Sequence, residues 1–140
     1  MHIVLPSWRW LPLIIVAMVS AATIAMAGEL AGSEWRPDQI GAAAVSSEAE
    51  LFVQFKGEGQ LAGHGGCNGF FGQYEISQNT IRIGPLGATM MACQGPVMDL
   101  EKAFLAALET ARTFQREDRS LVLFDADGKE QARLTQTDWD

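Results

Sequence analysis

The sequence predicts an α+β fold in which a curved antiparallel sheet, or a partly open barrel of short strands, packs against one main helix. Three observations support this fold class. Short runs of β-branched and aromatic residues recur between turn residues, and a single segment, residues 96–111, has helical apolar spacing. Seven of the sixteen residues from Gly57 to Gly72 are glycine, a composition typical of a sheet that bends or bulges.

The first half of the chain supplies most of the predicted strands. Residues 28–40 are predicted to form an edge strand, because Pro37 has no N–H to donate to a neighbour. A small, polar loop over residues 41–50 follows, and Leu51–Phe55 is a strand that ends at Gly57-Glu58-Gly59. Further strands are predicted over residues 60–64, 71–76, 80–83 and 86–91, with a hairpin turn at Ser77-Gln78-Asn79.

The predicted helix begins at Pro96, where a missing N–H costs nothing, and runs to Ala111. Asp99 and Glu101 are expected to complement the helix dipole in the first turn. The apolar face comprises Val97, Leu100, Phe104, Leu108 and Ala111. Strands are then predicted over residues 113–116, 120–124 and 130–135, and residues 125–129 form the last hairpin turn.

Residues 1–27 have the pattern of a secretory signal peptide. Arg9 precedes the apolar run Leu11–Met26, and Ala25-Met26-Ala27 is a small-x-small cleavage site. An uncleaved membrane anchor is the alternative, which Pro12 and the small residues at the cleavage site disfavour. The sequence therefore predicts one domain, residues 28–140, in the periplasm or outside the cell, with membrane contact only through the signal before cleavage.

The chain has two cysteines, Cys67 and Cys93. Because the predicted compartment is oxidising, they are expected to form one disulfide. Two alternatives remain open, a metal site that adds His64 as a ligand and a thiol-dependent enzyme in which His64 activates Cys67. Neither has its usual motif, since a structural zinc site needs four ligands and no nucleophile signature surrounds Cys67.

Other chemical classes receive no support from the sequence. With 10 Lys+Arg against 17 Asp+Glu, the chain lacks the basic surface of a nucleic-acid-binding protein. The glycine-rich segment lacks the Lys-Ser/Thr of a phosphate-binding loop, and Asp125-x-Asp127-Gly128 lacks the remaining ligands of a calcium loop. We therefore predict no cofactor, no bound metal and no enzymatic activity.

Several large apolar side chains surround the cysteine segments in the sequence. They belong either to the core or to an adaptable apolar cavity that accepts a lipid tail or a partner's side chain. These residues are Phe70, Phe71, Met90, Met91 and Met98.

Two motifs carry a resemblance to a known family. They are Gly66-Cys67-Asn68-Gly69-Phe70-Phe71-Gly72-Gln73-Tyr74 and Thr89-Met90-Met91-Ala92-Cys93. In this order, together with Gly32-x-x-Trp35 and the Leu121–Gly128 ending, they make the chain similar to the META domain family, which includes the heat-shock-associated HslJ proteins. Gly69 and Met90 depart from the basic or polar residues common in that family, so the resemblance implies no anion contact at these positions.

The resemblance implies a compact α+β domain with a disulfide between the two motif cysteines and a location in the cell envelope. It also implies a role in envelope stress response, motility or antibiotic tolerance, without an assigned reaction. The function predicted from the sequence is therefore a non-enzymatic protein that binds a partner protein or a hydrophobic ligand in an accessible apolar groove beside the helix. The alternatives are the thiol-dependent enzyme and a purely structural accessory module.

Overall fold

A computed structural model describes residues 2–4 and 30–137 of the 140-residue chain. Apart from residues 2–4, the predicted signal peptide lies outside the described residues. Within the described ranges, no helix has the length and hydropathy that a membrane-spanning segment requires.

The described domain consists mostly of strand, with one α-helix, as the sequence predicted. Gly57–Gly59 forms one short 3-10 turn between the third and fourth strands. The elements are β1 (Ser33–Ile40), β2 (Ala43–Ala44), β3 (Leu51–Phe55), β4 (Gln60–Gly65), β5 (Gly69–Ser77), β6 (Thr80–Ile83), β7 (Gly87–Ala88), α1 (Gly95–Thr110), β8 (Thr113–Glu117), β9 (Ser120–Phe124) and β10 (Glu130–Thr137).

Eight of the strands form a closed antiparallel barrel. The ring runs β10-β9-β8-β6-β5-β4-β3-β1, and β1 pairs again with β10 to close it. The short strands β2 and β7 add to β1 and β5 outside this ring. The joint between β6 and β8 is the shortest, with one register pair, Thr80 and Thr113. The sheet predicted as curved or partly open is thus closed.

The barrel interior is an apolar core that follows from the alternation of the strands. In β3 the residues Leu51, Val53 and Phe55 are buried, and the two between them are only partly buried. Trp35 from β1 lies in the same core with no exposed surface. Because successive side chains of a strand point to opposite faces, this alternation directs one set of side chains inward around the ring.

The helix lies across one opening of the barrel. It contacts β4 and β6 on one side of the ring and β9, β10 and β1 on the other. Phe104 and Leu108 are completely buried against the core, as the predicted apolar face requires. Val97, at the start of that face, is instead partly exposed.

The first strand is not the edge strand that Pro37 suggested. Residues Ser33–Trp35 pair with β3, and residues 34–40 pair with β10, so β1 has neighbours on both sides. The register between β1 and β10 shifts between Pro37 and Gln39. Such an irregularity accommodates a residue that cannot donate to the ladder, which is why the proline is tolerated inside the barrel.

The predicted strand over residues 86–91 is also shorter than expected. Only Gly87 and Ala88 pair with β5, and the chain beyond them has no regular secondary structure. The backbone of Met91 bonds instead to the side chain of Asn68. A side chain from another segment has therefore taken the place of a strand partner, which local sequence patterns do not reveal.

Candidate functional site

The two cysteine motifs meet at the end of the barrel that the helix covers. Gly66-Cys67-Asn68 forms the turn between β4 and β5, and residues 89–93 connect β7 to the helix. A disulfide joins Cys67 and Cys93, whose Cα atoms lie 6.1 Å apart, so the predicted bridge is confirmed. Cys67 is buried, and Cys93 is exposed at the surface.

Asn68 forms a second connection between the same two segments. Its Oδ1 accepts hydrogen bonds from the Thr89 hydroxyl at 2.9 Å and from the Met91 N–H at 2.7 Å. Its Nδ2 donates to the Met91 carbonyl oxygen at 3.3 Å. The Asn68 amide therefore replaces a strand neighbour for Met91 and holds the connecting segment in place.

The carboxylate of Glu101 anchors this arrangement from the helix. Its Oε2 accepts hydrogen bonds from the backbone N–H groups of Cys67 at 3.0 Å and Asn68 at 2.6 Å. Its Oε1 accepts a hydrogen bond from Nδ2 of Asn68 at 2.7 Å. The residue is only 6% exposed. The expectation that Asp99 and Glu101 complement the dipole in the first turn is wrong, because the helix begins at Gly95 and its first turn contains no acidic residue. The Glu101 side chain instead points into the protein and caps the Cys67–Asn68 turn.

Sequence reasoning missed this role although the helical spacing contained a signal. Glu101 follows Val97 by four residues and precedes Phe104 by three, so it lies on the apolar face of the helix. A charged side chain on a buried face must find hydrogen-bond partners. The partners are backbone groups of a distant turn, which the sequence could not identify.

The environment of Glu101 favours its charged form. Burial acts to raise the pKa of Glu101, but the hydrogen bonds from the backbone and side chain of Asn68 and from the backbone of Cys67 outweigh it. The nearby charge of His64 adds to this effect, and the pKa lies below its ordinary value. The carboxylate is therefore a stable acceptor at neutral pH.

The glycines of the motif are explained by this geometry. A Cβ atom on Gly65 would lie 2.8 Å from Oε2 of Glu101, so a larger residue would displace the carboxylate. Gly66 has a φ of 103°, a backbone conformation that residues with a side chain rarely adopt. Both positions thus allow the turn to approach the helix closely.

The other motif residues are distributed between core and surface. Phe70 packs edge-on against Phe104 in the core, with ring centroids 5.8 Å apart. A Cβ atom on Gly72 would lie 2.8 Å from Leu86, so this glycine lets the chain after β6 approach β5. The Tyr74 hydroxyl donates to the Lys56 carbonyl oxygen, and burial raises its pKa. Ala92, like Met91, is exposed.

His64 lies on β4, three residues before Cys67 in the sequence. Its Nδ1 lies 3.1 Å from the Gly66 nitrogen and 3.1 Å from the Glu50 carbonyl oxygen, and its ring stacks with Phe52. Because both cysteines are in the disulfide, neither offers the thiolate that the nucleophile or the metal site would need. Over residues 2–4 and 30–137, no group of three or more His, Cys, Asp or Glu side chains is placed to hold a metal ion.

The exposed apolar side chains concentrate near this locked turn. Within residues 30–137, the large hydrophobic residues that are exposed are Phe71, Met90, Met91 and Val97. The backbone of Met91 is bonded to Asn68, and a Cβ atom on Gly66 would lie 3.4 Å from Val97. Met90, Met91 and Val97 are therefore held around the Gly66–Asn68 turn, and we call them the apolar rim.

A surface groove adjoins the apolar rim beside the first turns of the helix, where the sequence predicted one. Its volume is about 390 Å³, and Val97 and Leu100 contribute its helical wall. Two acidic residues, Glu48 and Glu50, also line the groove. The complete lining is Glu48, Ala49, Glu50, Leu51, Gly66, Pro96, Val97 and Leu100.

Together, fold and site define a small closed β-barrel with a helix across one end, locked there by a disulfide and a buried carboxylate. The META domain family model matches residues 28–138, and the chain belongs to this family. No curated protein matches the chain.

Solved structures of low sequence identity share the fold. A protein from Burkholderia xenovorans, solved by NMR, is 22% identical with a TM-score of 0.66, over 79% of this chain and 85% of that one. A second NMR structure is 19% identical with a TM-score of 0.61, over 76% and 90%. A crystal structure of a DUF4847 family protein from Bacteroides vulgatus is 15% identical with a TM-score of 0.58, over 80% and 97%. These similarities establish the architecture alone.

Proposed function

We propose that this META domain protein is an exported, non-enzymatic binding module that docks a polypeptide segment of a partner at the apolar rim. One observation carries the proposal. Within residues 30–137, three of the four exposed large apolar side chains, Met90, Met91 and Val97, are held around one turn. An exposed apolar cluster is unfavourable in water unless it is covered in use, and such clusters mark interaction sites.

The backbone beneath the rim is rigidly held, which favours binding. The disulfide fixes Cys93, and the Asn68 side chain fixes both backbone groups of Met91. A surface that is ordered before binding loses less conformational entropy when a partner docks. Methionine side chains are nevertheless flexible, so the rim adapts to the shape of an apolar side chain.

The adjoining groove specifies the chemistry of the partner segment. Its walls combine the apolar Leu51, Val97 and Leu100 with the carboxylates Glu48 and Glu50. The two carboxylates are exposed, and the chain as a whole has a net charge of −7. We therefore propose a segment in which an aliphatic or aromatic side chain is flanked by lysine or arginine, since opposite charges steer and orient association.

The filled barrel interior supports a site on the surface. Trp35, Phe55 and Phe104 have no exposed surface and occupy the space inside the ring. A hydrophobic ligand would therefore also bind at the groove, whose volume of about 390 Å³ lies within the size range of small-molecule sites. The setting implied by the family resemblance, namely envelope stress response, motility or antibiotic tolerance, is part of the proposal.

Selection of peptides from a random display library against the purified oxidised protein tests the proposal. Enriched peptides should carry an apolar side chain flanked by basic residues and should lose affinity for the Val97→Asp variant. Val122→Asp provides the matched control, because this valine is half-buried on the outer face of β9. Acidic enriched peptides, or binding that Val97→Asp leaves unchanged, would contradict the proposal.

Two further results would favour the alternatives. Capture of apolar small molecules without any peptide binding would favour a hydrophobic ligand. Two free thiols after purification under oxidising conditions would favour the alternative of a thiol-dependent enzyme that uses Cys67 with His64. A purely structural accessory module would select no peptide through the rim.

A further inference from the structure

We infer that Met90 is a reversible oxidation site, and that its conversion to methionine sulfoxide makes the apolar rim polar without unfolding the domain. The methionines within residues 30–137 are Met90, Met91 and Met98. Met90 is 97% exposed and Met91 is 58% exposed, whereas Met98 is partly buried on the helix. The oxidation itself follows from this exposure, and only its effect on partner binding depends on the proposed function.

The cysteines and the tryptophan of the described domain are protected from oxidation. Both cysteines of the chain are in the disulfide, so no thiol is available to react first. Trp35, the tryptophan of the described domain, is completely buried. In residues 30–137 the thioether of Met90 is therefore the most accessible reducing group that an oxidant meets.

The reaction needs no group from the protein. With a peroxide as the oxidant, the sulfur lone pair attacks the protonated peroxide oxygen and the O–O bond breaks. That oxygen stays on sulfur, and its proton passes to the other oxygen, which leaves as water or an alcohol. Sulfur is oxidised by two electrons and the peroxide is reduced by two. A thiol-dependent methionine sulfoxide reductase reverses the change, with the oxygen leaving as water and two thiols forming a disulfide.

Because of its position, Met90 can be oxidised without damage to the fold. Its side chain is almost fully exposed and so contributes almost nothing to the core. Hydrogen bonds hold the residues on both sides of Met90. The Thr89 N–H donates to the Gly69 carbonyl oxygen, and the Thr89 hydroxyl and the Met91 N–H donate to Oδ1 of Asn68. A sulfoxide at Met90 therefore leaves the packing unchanged and places a strong hydrogen-bond acceptor on a surface that binds apolar groups.

Limited oxidation of the purified oxidised protein with hydrogen peroxide, followed by peptide mapping by mass spectrometry, tests the order of reaction. The first oxygen should enter at Met90, then at Met91, and last at Met98. Met90→Leu should remove the fastest step, whereas Met98→Leu should leave it unchanged. The thermal midpoint should not change after the first oxygen. Equal rates at Met90 and Met98, or unfolding after the first oxygen, would overturn the inference.

The effect on binding is measured with a peptide selected on the rim. Oxidation should weaken its affinity roughly tenfold, because an unpaired polar group would be buried in the complex. Treatment with reductase and dithiothreitol should restore the affinity to that of unoxidised protein given the same treatment, because the thiol can also reduce the Cys67–Cys93 disulfide. Met90→Leu should bind equally well before and after the same limited oxidation. Unchanged affinity of the oxidised protein would refute the switch. If no peptide binds the rim while Met90 still reacts first, the proposed function fails and the oxidation site stands.

Discussion

Replacing Glu101 with glutamine tests whether the buried carboxylate locks the cysteine motifs together. Glutamine has the same size, and its single oxygen can still accept the backbone N–H groups of Cys67 and Asn68. Its NH₂ group would then face Nδ2 of Asn68, which is also a donor. The Asn68 amide cannot rotate to relieve this contact, because its Oδ1 already accepts from Thr89 and Met91.

The expected cost follows from these contacts. Glu101→Gln loses one charge-assisted hydrogen bond outright and weakens two others, so the free energy of unfolding should fall by about 3 kcal/mol. A loss of that size is a large part of the stability of a small domain. It corresponds to a fall in the thermal midpoint of about 10 °C.

Urea denaturation of the oxidised protein, followed by tryptophan fluorescence, measures the effect. Glu109→Gln is the matched control, because Glu109 is exposed and accepts one bond from Leu86 at 3.3 Å. The control should stay within about 0.5 kcal/mol of the wild type. If Glu101→Gln is as stable as Glu109→Gln, the carboxylate does not hold the turn and the reasoning is refuted.

Three more predictions concern the same lock. The pKa of Glu101 is lower in the folded protein than its ordinary 4.5, so the stability that the ionised carboxylate contributes is complete above pH 4.5 and is lost as the pH falls through the folded pKa. In urea denaturation measured at acidic pH, Glu101→Gln should lack this loss of stability. Parallel pH profiles for wild type and variant would contradict the prediction. Cys67→Ser and Cys93→Ser should each cost about 3.5 kcal/mol, as expected for a 26-residue separation, and the double variant should be no worse; additive losses would indicate independent roles. Gly65→Ala should destabilise by about 2 kcal/mol in the same assay, because its Cβ would meet Glu101, whereas Gly57→Ala, with open space around it, should be nearly neutral; equal effects would exclude the clash.

The sequence predicted those parts of the fold that local chemistry controls. The turn over residues 125–129 is one example, since the Asp125 carboxylate accepts the N–H groups of Asp127 and Lys129. The helix is another, because its apolar spacing repeats over four turns and Pro96 fits only its beginning. The strands predicted over residues 51–55 and 120–124 likewise match β3 and β9. In each case the determining contacts lie within a few residues.

Other parts depended on contacts between distant segments. The barrel closes through the pairing of β1 with β10, in which Glu34 opposes Thr137, and no local pattern names that neighbour. The interpretation of Pro37 as an edge residue failed for the same reason.

The sequence by itself determined an α+β fold of short strands with one main helix and two cysteines suited to a single bridge. Only the tertiary structure decided that Glu101 is buried, that Asn68 replaces a strand partner for Met91, and that the exposed methionines stand on a fixed backbone. The physical reason is that a buried charge is stable only beside its donors. Those donors come from a turn 33 and 34 residues away, which folding alone brings to the helix.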